Sequence, residues 1–230
     1  MAWDEAKAPS ARLPEGMPLV CVCVPHHGGV QLEWVQSTWG PLCWVPQADF
    51  AKTFKMARGI MNLDTERNLL AKGALENPRV THILWLDTDN ICETPKDPNQ
   101  ALRLLLGCNT PIASGLYRAK KKGAQYPYCI FAKGPTREGI QTYIPISEWT
   151  GNWIKADVIG MGFCLMKREV FEKVPYPWFV WDKRAPSEDF DFCEKLAKYG
   201  YEIRVFTDVK LSHAGMLKVK TDGTISTLDV

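Results

Sequence analysis

The stretch Val80-Thr-His-Ile-Leu-Trp-Leu-Asp-Thr-Asp89 joins an apolar run to two carboxylates. Its apolar part, which ends at Leu86, is typical of a buried β-strand. Asp87 and Asp89 follow two residues apart where that strand should end, so their carboxylates can converge on one divalent cation. Mg²⁺ and Mn²⁺ prefer oxygen ligands and commonly keep open positions for substrate phosphate oxygens. The stretch therefore predicts a metal and nucleotide-diphosphate site at a sheet edge.

Strand and helix patterns alternate on both sides of this stretch. Leu19-Val-Cys-Val-Cys-Val24 is a continuous apolar run, as in the central strands of parallel sheets. The alternation predicts an α/β fold, with a mostly parallel, Rossmann-like central sheet flanked by helices. Helices are predicted at 32–38, 64–75, 99–106, 168–173 and 187–199. Asp64 or Thr65 can cap the second of these, and Asp97-Pro98 precedes the third. Ser187 can cap the last helix, and Gly200 follows its end. Further strands are predicted at 42–45, 111–115, 158–167 and 201–206, with a β-rich excursion over 116–155, whereas 48–63 fits neither pattern.

The composition is that of an ordinary globular protein with a sizeable core. Of 230 residues, 46% are hydrophobic and 23% charged. We expect a flexible arm over 1–17, a single domain over 18–215 and a tail over 216–230 with a turn at Thr221-Asp-Gly223. The first 18 residues contain three acids and three prolines, which argues against a signal peptide. The chain also lacks an apolar stretch long enough for a transmembrane helix.

Charge and cysteine usage argue against a dedicated nucleic-acid-binding domain and against a zinc ribbon. The net charge of +2 and the pI near 8.1 are below the pI of about 9 usual for nucleic-acid-binding domains. The one basic run, Arg118-Ala-Lys-Lys-Lys122, fits a solvated loop or a phosphate-binding patch. The eight cysteines include no Cys-x-x-Cys pair, which excludes zinc-ribbon spacing. Since Cys21, Cys23, Cys164 and Cys193 fit buried apolar positions, we expect a reduced, cytoplasmic protein.

Three further groups of polar residues fit the predicted site. Arg67 opens the helix before the Asp-x-Asp strand, where it is either a solvated arginine or a bidentate partner for a diphosphate. Glu188 and Asp189 begin the late helix, whose dipole favours acids there. Asp189 could also be a general base that takes a proton from an acceptor hydroxyl. His213 follows the last predicted strand and is either a structural histidine or a third metal ligand.

The order of these motifs resembles the GT-A-type glycosyltransferases, in particular the broad family-two group with its compact bacterial and phage-type members. The resemblance spans roughly residues 19–215. It rests on the first strand ending at Pro25, Glu-Arg-Asn at 66–68, Ile-Leu-Trp-Leu-Asp-Thr-Asp at 83–89, Ser-Gly-Leu-Tyr at 114–117, Gly-Met-Gly-Phe at 160–163, Ser-Glu-Asp-Phe-Asp-Phe at 187–192, and His213.

This resemblance implies that a sugar moves from a UDP- or GDP-sugar to an acceptor hydroxyl, and it favours inversion. The acceptor would be a glycan or another hydroxyl-bearing molecule facing the β-rich excursion; were it modified DNA, residues 120–122 would contact it. The nucleotide base stays open, because no acidic residue after the second predicted strand can be assigned to base binding. The implied residues are Asp189 and Glu188 for catalysis, Pro25, His26, Arg67, Asp87, Thr88 and Asp89 for the donor, and Asp87, Asp89 and His213 for Mn²⁺ or Mg²⁺.

Two alternatives share the predicted sheet. A sugar-phosphate nucleotidyltransferase would use the same metal, but it usually carries a glycine-rich segment with basic residues after the first strand. Here that segment is His26-His-Gly-Gly29, which has no Arg or Lys. The other alternative is a non-catalytic module that binds a nucleotide-sugar.

Overall fold

The computed structural model describes residues 13–26, 30–57, 59, 61–119, 127–181, 186–214, 217–222 and 224–227. Residues 1–12 of the arm predicted over 1–17, and the lysines at 120–122, lie outside these ranges. The strands are β1 (Leu19–Val24), β2 (Ala51–Met56), β3 (His82–Leu86), β4 (Asn90–Thr94), β5 (Ile112–Leu116), β6 (Ile130–Arg137), β7 (Ile140–Pro145), β8 (Trp153–Ala156), β9 (Val158–Ile159), β10 (Phe163–Lys167), β11 (Ile203–His213), β12 (Leu217–Val219) and β13 (Ile225–Thr227). The helices are α1 (Leu32–Trp34) and α2 (Gly40–Trp44), joined by a π-helical turn (Val35–Trp39), then α3 (Leu63–Leu75), α4 (Pro98–Gly107), α5 (Arg168–Lys173) and α6 (Glu188–Lys198).

A large central sheet organises the fold. Its strand order is β13-β12-β11-β5-β10-β3-β1-β2, and β4 and β8 also pair with β11. β1 runs parallel to β2 and β3, and β11 runs parallel to β5. β10, between β3 and β5, runs antiparallel to both of them, so these five central strands all run in the same direction. β4, β8 and β12 pair antiparallel with β11. The predicted α/β fold with a mostly parallel central sheet is therefore confirmed, and the carboxyl ends of five strands meet at one edge.

Helices cover both faces of this sheet, which explains the unbroken apolar run of β1. Cys21 and Cys23 face one side, where they pack with α3, α5 and α6 around Trp85. Val22 faces the other side with Leu84, among residues of the helical segment 32–44 and α4. Because successive side chains of a strand point to opposite faces, burial on both faces requires apolar residues throughout. All eight cysteines are free thiols, and the four predicted to be buried are buried.

The predicted β-rich excursion is a separate antiparallel sheet. Its strand order is β7-β6-β9. This small sheet packs on α6, where Phe190 contacts the rings of Phe131 and Tyr143 at centroid distances of 5.2 and 4.9 Å. It therefore supports the helix that carries Glu188 and Asp189.

One strand prediction is wrong. The segment Leu42–Val45, predicted as a strand, is mainly helix, because α2 extends to Trp44. Pro41 suits the first turn of a helix, and Leu42 is buried against the sheet, so tertiary packing outweighs strand propensity. The actual second strand, β2, lies in the segment that fitted neither pattern. It is the edge strand, its residues are mostly half-buried, and it carries two lysines, so it shows no clean alternation.

Several boundaries also differ from the predictions. The strand predicted over 158–167 is interrupted at Gly160–Gly162, and β11 extends to His213. The cap of α3 is Asn62 rather than Asp64 or Thr65. The cap predicted for α4 is confirmed, because the side chain of Asp97 accepts the Asn99 N–H at 2.9 Å. No helix within the described ranges combines the length and the apolar character that crossing a membrane requires.

Candidate active site

The carboxyl edge of the central sheet brings together residues that are far apart in sequence. Asp87 follows β3, Tyr117 follows β5, and His213 ends β11. Two backbone hydrogen bonds fix the loops at this edge: Asp87 N–H donates to the Gly162 carbonyl at 3.0 Å, and Ala214 N–H donates to the Asp89 carbonyl at 2.6 Å. The sheet topology thus places the acidic turn, with half-buried Thr88 between its two aspartates, beside the end of β11.

Arg67 lies at the centre of the site. It comes from the first turns of α3, and its side chain is only 1% exposed. Its Nη2 is 3.2 and 3.4 Å from the two carboxylate oxygens of Asp87. Its Nε is 3.3 Å from Glu188 Oε1 and 3.6 Å from Asp189 Oδ1. One buried guanidinium therefore faces three carboxylates, and such a cation is costly to remove because its partners would be left unpaired.

This cluster alters proton affinities in the site. Burial opposes the charge of Arg67, but the carboxylates of Asp87, Asp189 and Glu188 outweigh it and raise the pKa of the guanidinium. Burial raises the pKa of Asp87, although Arg67 opposes that change. Burial likewise raises the pKa of Asp189 to about 8, again against the effect of Arg67. A carboxyl group with such a pKa can exchange a proton near neutral pH, as general bases do.

The two carboxylate oxygens of Asp189 have different surroundings. Oδ2 accepts the Met161 N–H at 3.2 Å. Oδ1 has no hydrogen-bond donor in the described part of the chain, and it lies 3.6 Å from Arg67 Nε. The side chain is 16% exposed, so it is not sealed in the core. Oδ1 is itself buried, so the exposure of the side chain comes from its other atoms.

Asp89 and His213 form a second pair. His213 Nε2 lies 3.4 Å from Asp89 Oδ2. Nδ1 of the same ring is 2.9 Å from the Arg118 carbonyl oxygen, which can only accept, so Nδ1 carries the hydrogen. Nε2 of the ring faces Asp89, and anchoring through the other nitrogen is common among metal-binding histidines. Both side chains are partly exposed, at 33% and 18%.

The predicted site residues therefore fall into two groups. Asp89 and His213 come together as one pair, whereas Asp87 joins Arg67, Glu188 and Asp189. Within the described ranges, no three His, Cys, Asp or Glu side chains converge closely enough to hold a metal ion. The donor set Asp89 and His213 fits a cation such as Mn²⁺, which accepts carboxylate and imidazole ligands together with water or phosphate oxygens.

A cavity lies where the end of β2 meets α3, and the chain segment after β1 contacts a residue of its lining. Pro25 is buried, and the backbone N–H of half-buried His26 donates to Glu66 Oε2 at 3.3 Å. The other carboxylate oxygen of Glu66 accepts the Met61 N–H at 3.4 Å. The cavity measures about 560 Å³ and is lined by residues 54–57, Met61, Glu66, Leu69, Leu70 and Gly73.

Tyr117, Gly160 and Gly162 belong to two of the sequence motifs, and the folded chain brings them into contact. The Tyr117 hydroxyl accepts the Gly162 N–H at 3.0 Å, and the ring lies edge-on to His213 at 5.4 Å. A Cβ atom on Gly160 would overlap the Tyr117 hydroxyl, and one on Gly162 would overlap the Asn90 amide. Both glycines are therefore required by close packing that only the folded chain reveals.

Comparisons with known proteins bear on the fold. No protein-family model matches the chain, and no curated protein matches it. Among solved structures, A197 from STIV aligns with a TM-score of 0.60 and 19% identity, covering 93% of this chain and 95% of A197. Apo-UDP-glucose pyrophosphorylase aligns at a TM-score of 0.43 and 7% identity over 85% of this chain and 76% of that one. A glycosyltransferase involved in the glycosylation of the major capsid of PBCV-1 aligns with a TM-score of 0.41 and 12% identity, covering 80% of this chain and 77% of that one. The chain therefore shares its overall fold with A197.

Proposed function

We propose that the protein is a metal-dependent glycosyltransferase, which moves a sugar from a nucleotide-diphosphate sugar to an acceptor hydroxyl with inversion. The observation that carries the proposal is the placement, at one sheet edge, of a carboxylate–imidazole pair beside a carboxylate with raised proton affinity. A cation site and a general base are the two groups that such a transfer needs.

Asp89 and His213 are the residues that would hold Mn²⁺ or Mg²⁺. When bound, the cation would supply positive charge that stabilises the departing diphosphate. The chain's own contribution is to fix the imidazole through the Arg118 carbonyl and to leave both side chains partly open to a ligand.

Asp189 is the proposed base. Its carboxylate would take the proton of the acceptor hydroxyl while the acceptor oxygen forms a bond to the anomeric carbon. The bond between that carbon and the diphosphate oxygen breaks at the same time, and its electron pair leaves with the diphosphate. Attack on the face opposite the leaving group inverts the anomeric carbon, which develops oxocarbenium character on the way. The hydrogen bond from Met161 to Oδ2 orients the carboxylate for this step.

The cavity between β2 and α3 would receive the nucleoside end of the donor. Its volume of about 560 Å³ lies within the range of small-molecule sites. Apolar side chains line most of it, and the carboxylate of Glu66 borders it as a hydrogen-bond acceptor. The backbone N–H of His26 donates to Glu66, which lines this cavity, and we propose that Pro25 and His26 contact the donor there.

Product analysis tests the proposal. The purified protein is incubated with UDP- and GDP-sugars and Mn²⁺, and released nucleoside diphosphate is measured with and without EDTA. We expect metal-dependent release from one donor class, with slow transfer to water where no acceptor is present. A nucleotidyltransferase would instead release pyrophosphate from a nucleoside triphosphate and a sugar 1-phosphate. Donor binding without any turnover, across acceptors of different classes, would favour a non-catalytic module.

A further inference from the structure

Arg67 contacts residues from both halves of the site. α3 carries the guanidinium, the turn after β3 carries Asp87, and the first turn of α6 carries Glu188 and Asp189. Asp87, Glu188 and Asp189 lie 20, 121 and 122 residues after Arg67 in the sequence, yet their contacts with Arg67 are all between 3.2 and 3.6 Å. Arg67 is thus the described residue that bridges the acidic turn and the proposed base.

The surroundings of Arg67 leave it poorly placed to bind a substrate. Its side chain is 1% exposed, and the rings of Trp85 and Phe179 lie 5.4 and 5.8 Å from its guanidinium carbon. Nη2 and Nε are both directed at carboxylates, whereas Nη1 is buried without a hydrogen-bond acceptor in the described part of the chain. A group enclosed in this way positions other side chains, because a diphosphate could reach it only by displacing them.

We propose that Arg67 is a positioning residue, which links Asp87 to Glu188 and Asp189 and so fixes the base relative to the Asp89–His213 pair. Asp87 then belongs to this link rather than to the cation site. The inference rests on the proposed function for the role of Asp189 as base. The planar guanidinium is required, since a lysine ammonium offers one point of charge and cannot span the carboxylates with two fixed N–H directions.

Kinetics of Arg67→Lys and Arg67→Met test this role. Misplacing a catalytic group by about 1 Å can cost about 100-fold in rate. We expect both variants to lower kcat by at least about tenfold, while KM for the donor stays near the wild-type value. Arg103→Lys and Arg103→Met are matched controls, because Arg103 forms an ion pair with Asp49 on the exposed surface. Wild-type kcat in Arg67→Lys would overturn the proposal. A loss confined to donor KM would also overturn it, and would make Arg67 a donor contact.

Metal binding supplies a readout that does not depend on turnover. Mn²⁺ is titrated calorimetrically into metal-free protein. We expect Arg67→Lys and Asp87→Asn to keep the wild-type affinity for Mn²⁺, whereas Asp89→Asn loses it. A Mn²⁺ affinity that falls as much in Asp87→Asn as in Asp89→Asn would show that Asp87 is a ligand and would overturn the assignment.

A stability cycle tests the link even if the wild-type protein transfers no sugar. Asp87→Asn should lower Tm in the wild-type background and have little further effect in Arg67→Lys, because the partner geometry is already lost. Fully additive losses of Tm would show that the two residues act independently. If the wild-type protein transferred no sugar, by contrast, the proposed function would be wrong, but the coupling between Arg67 and Asp87 measured by this cycle would still hold. Because Arg67→Lys retains a buried positive charge, the cycle can be measured even if Arg67→Met does not fold.

Discussion

Asp189 owes its proton affinity to its position in the fold. It occupies the first turn of α6, where the helix dipole alone would favour the ionised form. Burial, together with the nearby carboxylates of Glu188 and Asp87, outweighs that effect and raises the pKa to about 8. Arg67 limits the increase. The same residue thus combines two features of a base: it is held by a backbone N–H, and it binds a proton near neutral pH.

The first prediction concerns the loss of this base. Asp189→Asn keeps the size of the side chain but removes its ability to take a proton, so kcat should fall by about 100-fold or more. Donor binding should persist, because the cation pair and the cavity are untouched. Asp191→Asn is the matched control on the same helix, since Asp191 forms an ion pair with Lys195 at 2.7 Å. Equal kcat in Asp189→Asn and wild type would remove Asp189 from its role.

The second prediction follows from the pKa of Asp189. The base works when deprotonated, so kcat/KM should rise with pH toward a plateau, with a midpoint near 8. Stability should change in the opposite sense. The folded carboxyl keeps its proton above the unfolded value of about 3.9, so the free energy of unfolding should fall as pH rises from about 4 to 8.

Both pH profiles are measured on wild type and on Asp189→Asn. The asparagine variant should show a flatter stability profile, because the group that loses its proton is gone. A rate profile that stays level between pH 6 and 9 would contradict the assignment of Asp189 as base.

At the scale of elements, the loop between β9 and β10 joins the two parts of the site. Its Met161 N–H holds Asp189, and its Gly162 carbonyl accepts the Asp87 N–H. The Tyr117 hydroxyl fills the space beside Gly160 and Gly162. The short strand β9 and this loop therefore hold Asp87 and Asp189 in place, although the sequence predicts one continuous strand over the same residues.

The third prediction tests this packing. Gly160→Ala places a methyl group against the buried Tyr117 hydroxyl, and overpacking of this kind costs about 1–3 kcal/mol. Urea unfolding should show that loss, and Tyr117→Phe in the same chain should recover part of it by removing the hydroxyl. Gly107→Ala is the control, because space around that glycine at the end of α4 is open. Equal losses in the two alanine variants would contradict the steric explanation.

Elements with strong local signals could be predicted, and those that depend on neighbours could not. The unbroken apolar run of β1, the Asp97-Pro98 start of α4 and the Gly200 end of α6 are local signals, and all three predictions are confirmed. β2 was not predicted, because an edge strand need not show alternating apolar and polar residues. Among site residues, the acidic turn and the start of α6 were visible as motifs. The contacts of Arg67 were not, because they join residues that only the sheet topology brings together.

At the scale of the whole molecule, the sheet order determines which chemistry is possible. β3 and β11 are separated by β10 and β5, yet the turn after β3 reaches the end of β11. β4 completes this arrangement, since it follows the turn and pairs antiparallel with the last residues of β11. Its partner register places His213 opposite Asn90, next to Asp89. The cation pair is thus a product of strand pairing, and two residues that are 124 positions apart meet without any local signal.

The last prediction tests the molecule as a ligand-binding whole. A nucleoside diphosphate and Mn²⁺ at 100 times their dissociation constant should stabilise the folded chain by about 2.7 kcal/mol. For a chain of this size that corresponds to a rise in Tm of roughly 5–10 °C. His213→Ala should abolish the part of the rise that requires Mn²⁺, because one of two proposed ligands is lost. His82→Gln is the control, since His82 begins β3 at the opposite edge of the sheet and contacts Thr81. It should keep the full rise whatever its own Tm. If no nucleoside diphosphate raises Tm in a Mn²⁺-dependent way, or if His213→Ala keeps that dependence, the cation does not bind at this pair.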